Sequence, residues 1–317
     1  AGNLADYEFE NAVGEIVKGS QIDYNGSPAG YNQDPQEHIV YVSKHDNETL
    51  WDITQFKLPS ATSMAERVQV QNLGIDFTVL AQGVPFLHAG VDLLRSKSLD
   101  RDSYNSGDWF NRLDFTYQDS NWGVGLPLQS NADEAVLLAL LGNPALKPAS
   151  TDIQGSAAHL QEMLAIRASS SLFRLQTEDD VLARVNFHNT GPDQLPGLIV
   201  MSLSDLVDPL PDLDPEHELL VALFNANDEE QRFTEPVLAG VELELHPVQD
   251  SSANPSIRAA VASQELAFDP ATGTFTLPPR MTAVFVLPQA PTAIDDTPPD
   301  YVPGDVVPQI YLPVVVK

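Results

Sequence analysis

The spacing of apolar residues changes once along this 317-residue chain, at about Leu172, and that change limits what the chain can fold into. Before it, Met64, Val68, Leu73 and Phe77 recur at roughly helical spacing, as do Leu160, Met163, Leu164 and Arg167. After it the period is two. The runs 184–188, 197–203, 218–224, 241–246, 274–277 and 282–287 are short and are separated by Pro, Gly, Asn and Asp. Short alternating runs at that spacing predict an antiparallel β-sandwich that closes its own core and folds independently.

The first half predicts a different architecture. Residues 1 to about 36 are rich in Gly, Asn, Asp and Pro and read as a long irregular connection. Residues 39–44 read as a mostly buried strand. Ser63 followed by Glu66 is a capping-box pattern that opens a helix running to about Gln82, Gly83 ends it, and 84–88 is a short apolar strand. Strand, helix, strand is the unit of a parallel α/β barrel. Residues 132–141 and 156–170 read as further helices. Beyond 287 the chain turns Pro- and Asp-rich, a spacer composition, and closes on an apolar run at 310–317 that reads as a surface-sorting tag, an edge strand or a frayed terminus.

The strand at 39–44 runs into His45-Asp46. In parallel α/β proteins the carboxyl ends of strands converge on one mouth, so this pair is a site candidate; the competing reading is a turn in which Asp46 and Asn47 cap the next helix. Residues 96–130 are too rich in Gly, Asn, Ser and Asp for a regular element, yet carry Tyr104, Trp109, Phe110, Phe115, Tyr117 and Trp122. Long aromatic loops over a mouth bind ligands, although Phe110 and Phe115 are expected to pack within the loop.

Charge narrows the ligand. With 16 Lys and Arg against 45 Asp and Glu, the formal charge is -29. That repels phosphate backbones and anionic lipid, so nucleic acid and electrostatic membrane binding are disfavoured and a neutral, hydroxyl-rich ligand fits. There is no cysteine for disulfides or thiolate metal sites, the seven histidines lack zinc-ligand spacing, and no apolar run reaches membrane-spanning length. The amino terminus has neither an initiator Met nor a signal segment, which reads as a start in mid-protein.

An ordered series of motifs goes further. Asp23-Tyr24-Asn25-Gly26-Ser27-Pro28-Ala29-Gly30-Tyr31, the stretch 41–52 around His45-Asp46, Gln82-Gly83-Val84-Pro85-Phe86-Leu87-His88-Ala89-Gly90, Leu94-Arg95-Ser96-Lys97-Ser98 and Gly107-Asp108-Trp109-Phe110-Asn111-Arg112 occur in turn, then 196–202, Leu245-His246-Pro247-Val248-Gln249 and 279–286. From about Gly2 to about Val286 the chain resembles the C-terminal portion of pullulanase-type debranching enzymes in the α-amylase superfamily.

The resemblance implies α/β plus all-β architecture: the C-terminal part of a (β/α)8 TIM barrel over 1–171, a β-sandwich over 172–288 and a Pro-rich tail over 289–317. It implies hydrolysis of α-1,6-glucosidic linkages with retention, the nucleophilic Asp and the acid Glu lying on earlier barrel strands. Asp46 matches the superfamily's third carboxylate, a transition-state stabiliser, and His45 would bond the same sugar. Asp108, Asn111 and Arg112 fall on a substrate-cleft loop, with Tyr104 or Trp109 as a stacking platform. Arg95 and Lys97 are expected to be structural, and Asp92 stands where the family pattern has Glu. The implied partner is an α-glucan. No cofactor or metal is assigned to these residues, calcium being left open for the parent enzyme, and the setting is secreted or cell-surface with a cytoplasmic one kept open. The alternatives are a non-catalytic glucan-binding module and a superfamily enzyme acting on α-1,4 bonds.

Overall fold

In a computed structural model of the chain, residues 1–128 and 133–289 are described. The Pro-rich tail from 290 and the expected first residue of the helix at 132 lie outside them. The first 36 residues carry more order than their composition suggests. Two small hairpins form, one from β1 (Glu8–Glu10) and β2 (Ile16–Lys18), the other from β3 (Asp23–Tyr24) and β4 (Ser27–Pro28). The Asn11 side chain closes the first by accepting the backbone N–H groups of Val13 and Glu15, each at 3.0 Å.

The strand expected over 39–44 is shorter. β5 (Ile39–Val40) pairs in parallel with β6 (Val84–Pro85), Ile39 opposite Val84 and Val40 opposite Pro85. Both stop after two residues because no further strand among the described residues lies alongside to extend the ladder, and Pro85 has no N–H to donate. Ile39, Tyr41, Val84 and Phe86 are left exposed. Between the two strands run α1 (Leu50–Lys57) and α2 (Met64–Val79). The Ser63–Glu66 capping box opens α2, with Ser63 Oγ accepting from Glu66 N at 3.3 Å and Glu66 Oε2 accepting from Ser63 N at 2.8 Å. α3 (Glu134–Leu141) follows, then α4 (Ser150–Ser169), which packs on α2 through Met163 and Ile166.

The second half begins with a helix that the alternation pattern hides. α5 (Glu178–Arg184) takes up Arg184, expected in a strand. Thr177 caps its N-terminus and Glu178, Asp179 and Asp180 fill its first turn, where they complement the helix dipole. β7 (Val185–Phe187), β8 (Leu198–Ser204), β9 (His217–Asn225), β10 (Gln231–Thr234) and β11 (Glu244–Leu245) come next. After α6 (Pro247–Asp250) and α7 (Pro255–Ser263), the chain ends in β12 (Ala267–Asp269), β13 (Thr274–Leu277) and β14 (Met281–Pro288). They form a five-stranded sheet in the order β11-β14-β9-β8-β7 and a three-stranded sheet in the order β10-β13-β12, with every pairing antiparallel. The observed class is thus mixed helices with a short parallel pair, followed by antiparallel sheets.

Alternation sends the side chains of the five-stranded sheet to two different cores. Val200, Leu223, Ala283 and Phe285 meet Phe275 and Leu277 of the smaller sheet. Met201, Leu203, Leu220, Ala222, Phe224, Val284 and Val286 point the other way, into a larger core with Leu73 and Val79 of α2 and Met163 and Ile166 of α4. Phe77 of α2 stacks on Phe224 with ring centroids 5.0 Å apart. The expectation that the β region closes its own core therefore holds for one face only. The other face is completed by the first half of the chain.

All three tryptophans, Trp51, Trp109 and Trp122, lie in the first half, so their fluorescence reports on it alone. Phe224→Ala, a change in the second half, should lower stability by about 3–5 kcal/mol. Denaturant unfolding followed by tryptophan emission and by far-UV circular dichroism should shift together; an unmoved tryptophan transition would mean two independent cores.

Candidate functional site

The loops after β5 and β6 leave from neighbouring strand ends, and that places His45, Asp46 and His88 on one side of the molecule. His45 and Asp46 are both exposed, with side chains 83% and 55% accessible. Asp46 Oδ2 accepts from Lys44 Nζ at 2.5 Å and Asp46 Oδ1 lies 3.3 Å from His45 Nε2. The Lys44 hydrogen bond, followed by the charges of His45, Lys44 and Lys97, holds the Asp46 carboxyl below the usual range. It is an ionised acceptor open to solvent. The helix-capping alternative does not apply to this pair, since the N-cap of α1 is Thr49, whose Oγ1 accepts from Asp52 N at 3.1 Å.

The backbone around the pair is anchored from the loop after β6. Lys97, almost fully buried, donates to the His45 carbonyl at 3.3 Å, and Arg101 donates to Asn47 Oδ1 at 3.0 Å. Lys97 is held in turn by Asp52, a residue that sequence reasoning passed over. Its carboxylate is wholly buried and accepts from Ser96 Oγ at 2.6 Å, Lys97 N at 2.7 Å and Leu99 N at 3.3 Å. Leu94, Ser98 and Leu99 all take left-handed backbone, with φ of 52°, 54° and 65°. Non-glycine residues hold that conformation only where neighbours impose it, and the Asp52 carboxylate lies at the centre of the loop. Burial pushes the Asp52 pKa up to about 6 against the pull of those hydrogen bonds. An Asp in the first turn of a helix reads in sequence as a dipole complement, so nothing local marks its longer reach.

Arg95 organises the other side. Its Nη1 donates to His88 Nε2 at 3.1 Å and to the Ala89 carbonyl at 2.9 Å, while Nη2 reaches Asn111 Oδ1 at 3.4 Å. Since Arg only donates, His88 Nε2 accepts and the ring proton sits on Nδ1. Burial, then the charges of Arg95, Lys97 and His45, lowers the His88 pKa to about 4. Asn111 spends its side chain on the loop itself: Oδ1 accepts from Ser103 Oγ at 3.0 Å and Nδ2 donates to the Ser103 carbonyl at 3.1 Å. Asp92 is partly buried, which raises its carboxyl pKa.

Asp108 and Arg112 are exposed, and Arg112 has no ion-pair partner among the described residues. Tyr104 is 85% accessible and Trp109 58%. The Trp109 indole lies on Gly107, where a Cβ would come within 2.7 Å of the ring; the φ of 112° there also favours glycine. Phe110 packs inside as expected, whereas Phe115 does not and is 70% accessible. The turn carrying Phe115 is fixed by Asp114, which accepts from Thr116 N, Thr116 Oγ1, Gln118 N and Asp119 N, and this leaves the ring outside.

Comparison with known proteins gives a consistent picture. Residues 117–288 match the family described as alpha-1,6-glucosidases, pullulanase-type, C-terminal. Chloroplastic pullulanase 1 of Arabidopsis thaliana is 46% identical over 292 residues, which is 90% of this chain and 30% of that protein. Pullulanase of Klebsiella pneumoniae is 40% identical over 91% of this chain and 26% of its own length. The chain thus spans between a quarter and a third of these curated relatives. A crystal structure of Klebsiella pneumoniae pullulanase complexed with maltotriose superposes with a TM-score of 0.81 at 39% identity, covering 92% of this chain and 27% of that one.

The half-buried His88 ring makes a pH-dependent prediction. His88 takes its proton near 6.5 when unfolded and near 4 when folded, so the unfolded chain gains it first as pH falls. The stability contributed by neutral His88 is present above about 6.5 and is lost on the way down to about 4. Side-chain NMR should show a neutral His88 ring at pH 5 and an upward move of its pKa in Arg95→Ala. A ring already protonated at pH 5 would contradict the geometry.

Proposed function

The chain belongs to the pullulanase-type α-1,6-glucosidases, and on that premise we propose that it forms the C-terminal portion of a retaining glycoside hydrolase that cleaves α-1,6 branch linkages in pullulan, starch or glycogen-type glucans. One observation carries the reading: a solvent-open, ionised Asp46 stands beside His45 in the loop that follows the parallel strand β5, with the backbone beneath it clamped by Lys97 and Arg101.

Retention requires two carboxyls about 5 Å apart, one attacking and one protonating the leaving oxygen. We assign those roles to an Asp and a Glu on barrel strands that this chain does not contain. Asp46 then acts as the third carboxylate. It accepts sugar hydroxyls while positive charge develops on the ring, an interaction stronger in the transition state than in the ground state. His45 bonds the same sugar. Tyr104 and Trp109 offer rings for stacking, and Asp108, Asn111 and Arg112 border the cleft. Exposed Ile39, Tyr41, Val84 and Phe86 support reading 1–171 as the closing part of a (β/α)8 barrel, since that apolar edge suits neighbouring strands. Residues 172–288 then form the β-sandwich domain and 289–317 a tail. The negative charge suits a neutral glucan and opposes nucleic acid. Among the described residues no helix is long and apolar enough to cross a membrane. A secreted or cell-surface setting is our reading, with a cytoplasmic one as the alternative.

Expressed alone, the 317-residue chain should release no maltotriose from pullulan above background, and such release would overturn the assignment of the other two carboxylates. In the parent enzyme Asp46→Asn should lower turnover by about a thousandfold or more with little change in unfolding midpoint. Near-normal turnover in steady-state assays would remove Asp46 from the mechanism.

A further inference from the structure

Away from the mouth, α2, α4 and the start of α7 enclose a groove of about 270 Å³. Four of its residues, Gln69, Asn72, Asn254 and Ser256, also line an adjoining cavity of about 20 Å³, completed by His159, Thr282 and others. His159 and Thr282 are 4% and 3% accessible, yet His159 Nδ1 and Thr282 Oγ1 have no hydrogen-bond partner among the described residues. Two unpartnered polar atoms on residues that line the same small cavity carry a desolvation cost that an incoming group would relieve.

The charges nearby are already matched. Asp76 faces His159 Nε2 at 2.7 Å, Arg280 pairs with Glu66 at 2.6 Å, Asp152 accepts from Ala149 N at 2.8 Å, and Glu162 accepts from Ser252 Oγ and Ala253 N. What remains is neutral capacity. Asn72 and Asn254 use their oxygens on Ser156 and on the N-terminus of α7, so each has NH2 donors to offer. Ala65, Val68 and Pro255 supply an apolar wall, and a Cβ added at Gly155 would meet no atom within 4 Å, so the face of α4 is open there.

We propose that this groove is a binding site for a neutral polyol of single-sugar-ring size, with one hydroxyl entering the small cavity between His159 and Thr282. The cavity holds one oxygen, and the groove lies near the small end of ligand sites. His159 Nε2 donates to Asp76, so Nδ1 accepts when the ring is neutral and donates when it is charged. A hydroxyl serves either state, whereas a carboxylate or an ammonium serves only one. The site is separate from the mouth and does not depend on how glucan is cleaved there.

Titration of the isotope-labelled chain with glucose, followed by NMR at the His159 ring nitrogens and the Asn72 side-chain amide, should give saturable shifts. Gly155→Leu, which fills the groove from a solvent-open helix position, should abolish them while leaving the remaining spectrum and the unfolding midpoint in place; Gly155→Ala should retain them. Shifts that do not saturate, that survive in Gly155→Leu, or that sodium sulfate reproduces would each overturn the proposal.

Discussion

A sheet whose central strands are largely covered on both faces is the constraint from which the rest of this structure follows. β8, β9 and β14 are apolar on both sides, one side meeting the three-stranded sheet and the other meeting α2 and α4. Strands of that kind normally belong to parallel sheets covered by helices; here an antiparallel sheet is covered by a sheet on one side and helices on the other. The β region thereby fixes the helices that position β5 and β6, and those two strand ends carry the candidate site. Packing far from the mouth and geometry at the mouth are parts of one arrangement.

The mouth itself is built by relay. Asp52 holds the loop 94–100, the loop carries Lys97 and Arg95, and these hold the backbone of His45 and the ring of His88. The exposed side chains, Asp46 and His45, make few contacts of their own. Order is supplied from beneath, by buried polar groups that spend their hydrogen bonds on main chain, and a site left open to solvent needs such support.

Much of this was legible in sequence because it rests on local chemistry. The capping box at Ser63 and the apolar runs that become β8, β9 and β14 are each decided within a few residues, whereas the strand expected over 84–88 keeps only Val84 and Pro85. The failures have physical causes. Propensity predicts a strand over 39–44, but strand length depends on a neighbour, which propensity does not report, and β5 keeps only Ile39 and Val40. α5 was hidden because Arg184 and Val185 sit where a helix passes directly into a strand. α7 was missed inside a Pro- and Ser-rich stretch whose Asn254 cap and Pro255 in fact mark a helix start. Phe115 reads in sequence as a ring packed within its loop, but Asp114 sets the backbone first and the ring goes where that turn points. Asp46 is a candidate because the run at 39–44 points to it; Asp52, whose partners at Ser96 and Leu99 lie more than forty residues away, has no local signature.

The relay through Asp52 also bears on how such a site changes over generations. Two of its partners in that loop are backbone N–H groups, at Lys97 and Leu99, which every residue but proline possesses. The path of the loop is therefore encoded by one side chain on a helix and is largely indifferent to the side chains the loop displays. Mutation can vary those displayed groups, and with them the surface the candidate site presents, without first having to reinvent the loop that carries them.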